Sequence, residues 1–357
     1  MAKRVFGCAV LMFAFCALCQ GQSITNIPTD EIRFDTKQVT APTVPKTITR
    51  TIKQDSKGNI WIAAFDGIFR YDGKSFANIT SKVSSAPFFS VLEDKKGNFW
   101  FSTIGSGVYY YEPPRSVVNG AVAESFRNFT TKDGLSNNEV TGIYEDKAGD
   151  IWFATEDGVS RYDPGQADGK SFRNFKLNEG FRNNDNRINS IIEDKTGQFW
   201  VGTKGNTFKY DGQTFTVLTH HGEPFMNVRT IMEDKKGNIW LGGTDGLWRY
   251  DGSTFMNFTT NFVGHIIEDK KGNIWTSSET ANDAGWAQGW ALSRYDGKSL
   301  SSPKPTVTEI RCDYEYIKKM IFGVMEASDG MIWFGALDGV YRYNGTTMID
   351  YKGKEVK

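Results

Sequence analysis

Five aspartates, Asp94, Asp146, Asp194, Asp234 and Asp269, each stand three residues ahead of a glycine, and that recurrence could make either ligand loops or turns. A calcium loop needs several oxygen ligands at alternating positions. Lys-Lys or Lys-Thr fills those places in most copies, so no metal site is expected. The pattern fits turns in which the Asp accepts from turn N–H groups and the glycine takes the left-handed conformation. The chain has three histidines, His220, His221 and His265, and no G-x-S-x-G, H-E-x-x-H or P-loop pattern. A general base needs an oriented partner, and no Glu-x-His pair accompanies His265. The expectation is therefore a protein without catalysis and without a cofactor. Cys8, Cys16 and Cys19 lie near the start and only Cys312 lies far from it, with no C-x-x-C pattern, so a zinc site is not expected and Cys312 reads as an unreactive thiol. What remains is a set of aromatic and charged residues in irregular stretches: Asp283, Trp286 and Trp290, then Arg311, Tyr314 and Tyr316, and separately Arg182 and Arg187.

The elements that must carry these residues are repeats. The clearest copy runs from Glu233 to Phe255, E-D-K-K-G-N-I-W-L-G-G-T-D-G-L-W-R-Y-D-G-S-T-F. It reads as one strand ending at Glu233-Asp234, a glycine turn, a strand from Ile239, a second turn at Thr244 to Gly246, and a third strand, Leu247 to Tyr250. Asp251-Gly252 is expected to form a type I′ turn, and Phe255 opens a fourth strand. Each copy is anchored on one tryptophan: Trp61, Trp100, Trp152, Trp200, Trp240, Trp275 and Trp333, with spacings from 35 to 58 residues. A period near 40 with four strands per unit marks a β-propeller blade. The fold class is therefore all-β, a seven-bladed β-propeller with four antiparallel strands, a to d from axis to rim, in each blade. Both faces of each sheet pack on neighbours, so strand b reads as a continuous apolar run, and each anchor tryptophan is expected between adjacent blades.

In chain order, residues 1–21 read as a signal peptide: Lys3-Arg4, then an apolar run from Val5 to Leu18, too short to span a bilayer. Cys19 also suits a lipoprotein start, which would be the chain's one route to a membrane. Residues 22–45 form a linker containing a candidate closing strand, Glu31 to Asp35, and the segment Thr346 to Tyr351 competes for the same edge. The propeller covers 46–351 and a short tail 352–357. Basic and acidic residues balance at 42 each, so there is no basic excess to draw in nucleic acid.

The Glu233 to Phe255 repeat, together with Thr131-Lys132-Asp133-Gly134-Leu135-Ser136-Asn137-Asn138, resembles the two-component regulator propeller repeat. The resemblance extends over about Lys46 to Tyr351. It implies a periplasmic or extracellular sensor propeller, a kind of domain often tied to polysaccharide use. No kinase, receiver domain or membrane helix is read in the sequence, so the expectation is a detached sensor domain rather than a signalling enzyme. Streptogramin lyases, also seven-bladed with similar Gly-Asn-Ile-Trp turns, supply the enzymatic alternative, with magnesium and with His265 as the residue to watch.

Strand direction separates two faces. The a–b and c–d turns emerge on one side and are mostly short and regular. The b–c and d–a loops emerge on the other and are long and unlike: Thr131 to Glu139, Asn178 to Arg187, His220 to Asn227, Thr276 to Ala291 and Ser301 to Lys318. Irregular loops on a rigid scaffold are where recognition usually sits. The aromatic and charged set falls in these loops, and it suits stacking on a sugar ring with hydrogen bonds to its hydroxyls. The same tryptophans could instead plug the channel or pack their own loop. The function expected is exported, non-catalytic binding of a glycan or small polar ligand; the alternative partner is another protein of the cell envelope.

Overall fold

The structure is a computed structural model that describes residues 33–34, 44–114, 125–166, 171–177, 185–281, 287–302, 304–311 and 320–351. The described residues form seven sheets of four antiparallel strands in chain order, the seventh carrying an additional strand, and one two-stranded pair, Thr219–His220 with Glu223–Pro224, in the loop after blade four. In the fifth blade strand a is Val228–Glu233, b is Ile239–Gly243, c is Gly246–Tyr250 and d is Phe255–Thr259. These bounds lie within a residue of those the repeat predicts.

The physical unit is the seam between blades. Trp61 of blade one packs into the apolar cluster of blade two, with Phe88, Val91 and Phe101. Trp100, Trp152, Trp200, Trp240 and Trp275 do the same to the blades that follow. Trp333 of blade seven closes the circle against Ile52, Ile62 and Phe69 of blade one. All seven indoles are buried, none more than 5 % exposed, and each contributes a few kcal/mol through apolar area removed from water. Strand b is buried at every residue in blades one, two, three, five and seven, as sheets packed on both faces require.

The recurrent aspartate proves to hold the seam as well as the turn. Asp234 Oδ1 accepts from the backbone N–H of Lys236 and Asn238, both at 2.9 Å, and its Oδ2 accepts from Trp240 Nε1 at 2.8 Å. The indole bond recurs at Asp55, Asp94, Asp146, Asp194 and Asp269. Blade seven departs from this: Ala327 stands in the aspartate's place, and the buried Trp333 Nε1 has no partner among the described residues.

Two expectations need correction. The c–d hairpin is not a type I′ turn on Asp251-Gly252. Gly252 has φ of 100° while Asp251 does not adopt positive φ, and the Asp251 N–H donates to Thr254 O at 3.2 Å. Gly252-Ser253 is thus the central pair, with the glycine first, as in a type II′ turn. Asp251 is instead a cap whose Oδ1 accepts from the N–H groups of Ser253 and Thr254. The second correction concerns the ring edge, where both terminal candidates are used. Thr347–Asp350 is strand d of blade seven, and Arg33–Phe34 pairs parallel to it on the outside. Neither strand is shared between blades, so closure rests on side chains at the seam: Trp333 stacks on Tyr351 at 5.4 Å, and Tyr351 packs edge-on against Phe76 at 5.2 Å. The signal-peptide segment 1–21 and the tail 352–357 lie outside the described residues.

Candidate binding channel

Seven copies of strand a line the axis: Thr49–Gln54, Phe88–Glu93, Val140–Glu145, Ile188–Glu193, Val228–Glu233, Val263–Glu268 and Ile321–Glu326. Every one carries a register shift after its first residue, as between Val228 and Thr230 or between Val263 and His265. A bulge of this kind re-aims the residues beside it. Consecutive residues therefore both face the axis, among them Arg50 and Thr51, Arg229 and Thr230, and Gly264 and His265.

The channel consists of two cavities that meet at Thr51, Asn189, Ser190, Thr230 and His265. One, of about 620 Å³, lies toward the a–b turns, and the other, of about 200 Å³, toward the b–c and d–a loops. The larger volume is thus on the regular side of the disc. At that end strand a closes with Gln54 and six glutamates, whose function is visible in their bonds. Each side chain accepts from a turn N–H of the preceding blade: Ser56 to Glu93 at 2.8 Å, Lys95 to Glu145 at 2.9 Å, Lys147 to Glu193 at 2.8 Å, Lys195 to Glu233 at 3.0 Å, Lys235 to Glu268 at 2.7 Å and Lys270 to Glu326 at 2.6 Å. Ser328 N–H to Gln54 Oε1 at 2.7 Å completes the circle across the seam between blades seven and one. These carboxylates are engaged in holding blades together. Burial pushes the Glu145 carboxyl up, against the opposing pull of Lys95.

One residue further in, the column reads Lys53, Leu92, Tyr144, Ile192, Met232, Ile267 and Met325, apolar or aromatic except at Lys53. Lys53 is exposed to the solvent of the channel, and the protein walls around it desolvate the ammonium and push its pKa down. Nearer the other mouth, the Arg50 guanidinium lies between the rings of Phe89 and Phe322, 4.1 Å from each centroid. Burial and then the charge of Arg229 disfavour its charged form, though a guanidinium remains protonated. Arg229 Nη1 donates to Asn189 Oδ1 at 3.0 Å. His265 is pushed down to about 4 by burial first and the Lys53 charge second; a hydrogen bond with the Val324 backbone opposes this, and Arg50 adds to the lowering.

Of the residues singled out from the sequence, Asp283, Trp286, Arg182, Tyr314 and Tyr316 lie outside the described residues. Arg187 stands at the d–a mouth, where Nε donates to Asp185 Oδ1 at 2.9 Å and lies 3.6 Å from Glu156. Trp290 is not in a loop. The expected insertion Thr276 to Ala291 is largely an extended hairpin, Ile274–Ala281 paired with Ala287–Tyr295. From its second strand the half-buried Trp290 ring lines the smaller cavity and meets Phe262 edge-on at 5.7 Å. Arg311 likewise belongs to a strand, Val307–Arg311, which is strand d of blade six, rather than to the d–a loop. The sequence signal is weak here because the alternation of the long hairpin is interrupted by Gly and Ala. Sequence reasoning missed Arg50, Lys53 and Arg229. Aligning the seven strands a on their terminal glutamate would have found Lys53, as the one charge in an apolar column.

The two component regulator propeller family matches this chain at residues 134–157, 184–205 and 222–245. No curated protein sequence matches it. Among solved structures it is similar to the extracellular domain of a hybrid two component system from B. thetaiotaomicron, with TM-score 0.68 and 22% identity, over 87% of this chain and 40% of that one. The chain thus spans less than half the length of that domain. It is also similar to a streptogramin B lyase, with TM-score 0.62 and 14% identity, over 85% and 95% of the two chains. A third likeness is to YCF48 bound to D1 peptide, with TM-score 0.59 and 12% identity, over 89% and 99%. At these identities the structures share the propeller fold. No helix among the described residues is long and apolar enough to cross a membrane.

Proposed function

We propose that this chain, which carries two component regulator propeller repeats, is an exported, non-catalytic binding propeller that takes a glycan or small polar ligand in its axial channel and on the irregular loops around one mouth. The observation that carries this reading is the channel itself. Its residues could be apolar, as most are at the column of Lys53, yet Lys53 and His265 line a cavity of about 620 Å³, and Arg50, Arg229 and His265 line the adjoining one of about 200 Å³. That volume is in the usual range for a small-molecule site. Trp290 and Arg187 stand on the side where the loops are irregular.

A thermal-shift screen of the full chain against oligosaccharides tests the reading. A ligand at a hundred times its Kd adds about 2.7 kcal/mol to the folded state and raises Tm. No shift with any sugar, together with a single envelope protein that co-purifies, would replace this reading with that of a protein scaffold.

A second reading, a lyase-like enzyme, draws on the position of His265 in the channel. Its imidazole is a weak base at a pKa of about 4, and its charged neighbours are Lys53 and Arg50 rather than a carboxylate. Magnesium-dependent turnover lost in His265→Ala would favour the enzyme.

A further inference from the structure

At the waist of the channel, the smaller cavity is lined by Arg50 and Arg229 and by no carboxylate among the described residues, and Lys53 lines the adjoining larger one, whose Glu233, Glu268 and Glu326 already accept turn N–H groups. Arg50 contacts the faces of Phe89 and Phe322, which orient the guanidinium without neutralising it. Such stacking leaves the N–H edge free to bind a planar or tetrahedral anion. Arg229 disfavours the charge on Arg50, and Lys53 and Arg50 both disfavour a proton on His265. Glu156, which favours the charge on Arg229, lies at the mouth with its carboxylate 3.6 Å from Arg187.

We propose that this waist is an anion-binding site, built to take the carboxylate, sulfate or phosphate group of a small ligand. The proposal rests on the reading of the chain as a ligand-binding propeller and narrows the ligand's chemistry.

Three observations carry it. Lys53 is the one charge in a column otherwise filled by Leu92, Tyr144, Ile192, Met232, Ile267 and Met325, and it lines the larger cavity exposed to solvent. The cations come from two blades, Arg50 and Lys53 from blade one and Arg229 from blade five, and the ring fold brings them to one channel beside His265 of blade six. Like charges facing each other within low-dielectric walls are costly to the empty protein, and the same walls focus their field on an entering anion. A cluster of perturbed charged groups in a cleft is a candidate functional site.

Isothermal titration calorimetry on the full chain at pH 7 and low ionic strength provides the test, with sodium sulfate, sodium phosphate and sodium glucuronate as probes and glucose as the neutral control. The expected result is one-site binding of at least one anion that weakens as salt is added. In Lys53→Met and in Arg50→Gln that affinity should fall about tenfold or more. Met already occupies the column in two other blades, so Lys53→Met should fold with a Tm at or above the parent's and keeps the test decisive if Arg50→Gln fails to fold. Glucuronate binding tighter than sulfate and phosphate would identify a sugar acid, and the reverse order an inorganic ion or ester; either supports the site. Anion binding unchanged in Lys53→Met would overturn it. So would glucose binding without anion binding, which would leave the broader ligand-binding reading standing. Absence of binding by all four probes would overturn the anion site, and the oligosaccharide screen would then decide the broader reading separately.

Discussion

Trp240 and Trp333 occupy equivalent places in their blades, yet they should respond differently to the same substitution. Trp240 Nε1 donates to Asp234 at 2.8 Å in a buried setting. Trp333 has Ala327 where the acid should be, and its Nε1 is unpartnered among the described residues. Exchange for Phe removes the pyrrole ring from both sites, and the lost volume is a cost common to the two. In blade five it also removes a hydrogen bond to a carboxylate, a bond with a net value of about 1.5–3 kcal/mol. In blade seven it removes a buried donor that already lacks a partner, so the hydrogen-bond part of the change is neutral or favourable. The Trp333 stack on Tyr351, at 8° between planes, is one Phe can largely retain. Trp240→Phe should therefore cost about 1.5–3 kcal/mol more than Trp333→Phe. At about 2–4 °C per kcal/mol, that is a gap of several degrees in Tm, readable by calorimetry or urea denaturation. In an Asp234→Ala background the extra cost should largely vanish, as a double-mutant cycle would show. Equal losses at the two tryptophans, with no coupling to Asp234, would refute the assignment of the recurrent aspartate as an indole acceptor.

Acid should act through the same turns. Burial pushes the Asp194 and Asp269 carboxyls up, but bonds donated by Thr196 and Trp200 to the first, and by Trp275 and Asn273 to the second, outweigh it and hold both below the usual carboxylate range. A lowered folded-state pKa gives stability that is full above the unfolded value, about 4, and lost as pH falls through the folded one; denaturation midpoints flat between pH 7 and 5 and falling below 4 are the expected profile, and a midpoint constant down to pH 2 would contradict it. Gly246→Ala would place a Cβ 1.7 Å from Thr259 O, whereas Gly252→Ala meets nothing within 4 Å. The first should cost well over about 3 kcal/mol or abolish folding and the second about 1 kcal/mol, since only strain at positive φ remains there; equal costs would show that the b–c turn is not as tight as described. Gln54→Leu removes the bonds to Ser328 that join blades seven and one, so it should speed unfolding several-fold by stopped flow, while Gln213→Leu in the exposed turn of blade four should not.

The blade count, the strand plan and the anchor tryptophans were legible in the sequence because each repeat satisfies its own local chemistry. An Asp-x-x-Gly turn, an apolar strand b and an Asp-Gly hairpin each announce themselves within a few residues. Even so, the local reading misplaced the hairpin's central pair, since Asp251 serves better as a cap for two N–H groups than as a residue at positive φ. It could not choose between the terminal strands because both lie on the same edge, a matter of three-dimensional order. The glutamate that ends strand a in six blades read only as a strand end, and ring geometry shows it bound to the preceding blade, as with Lys95 N–H on Glu145 across 50 positions of sequence. The cations of the channel were not legible for the same reason. Arg50 and Arg229 are far apart in the chain, neither stands out within its own repeat, and closure of the circle turns their strands so that both cations face one axis beside His265. Periodicity is a short-range property that a sequence carries in every copy; the site is made of the places where the copies differ, and it exists only where the ring brings those differences together.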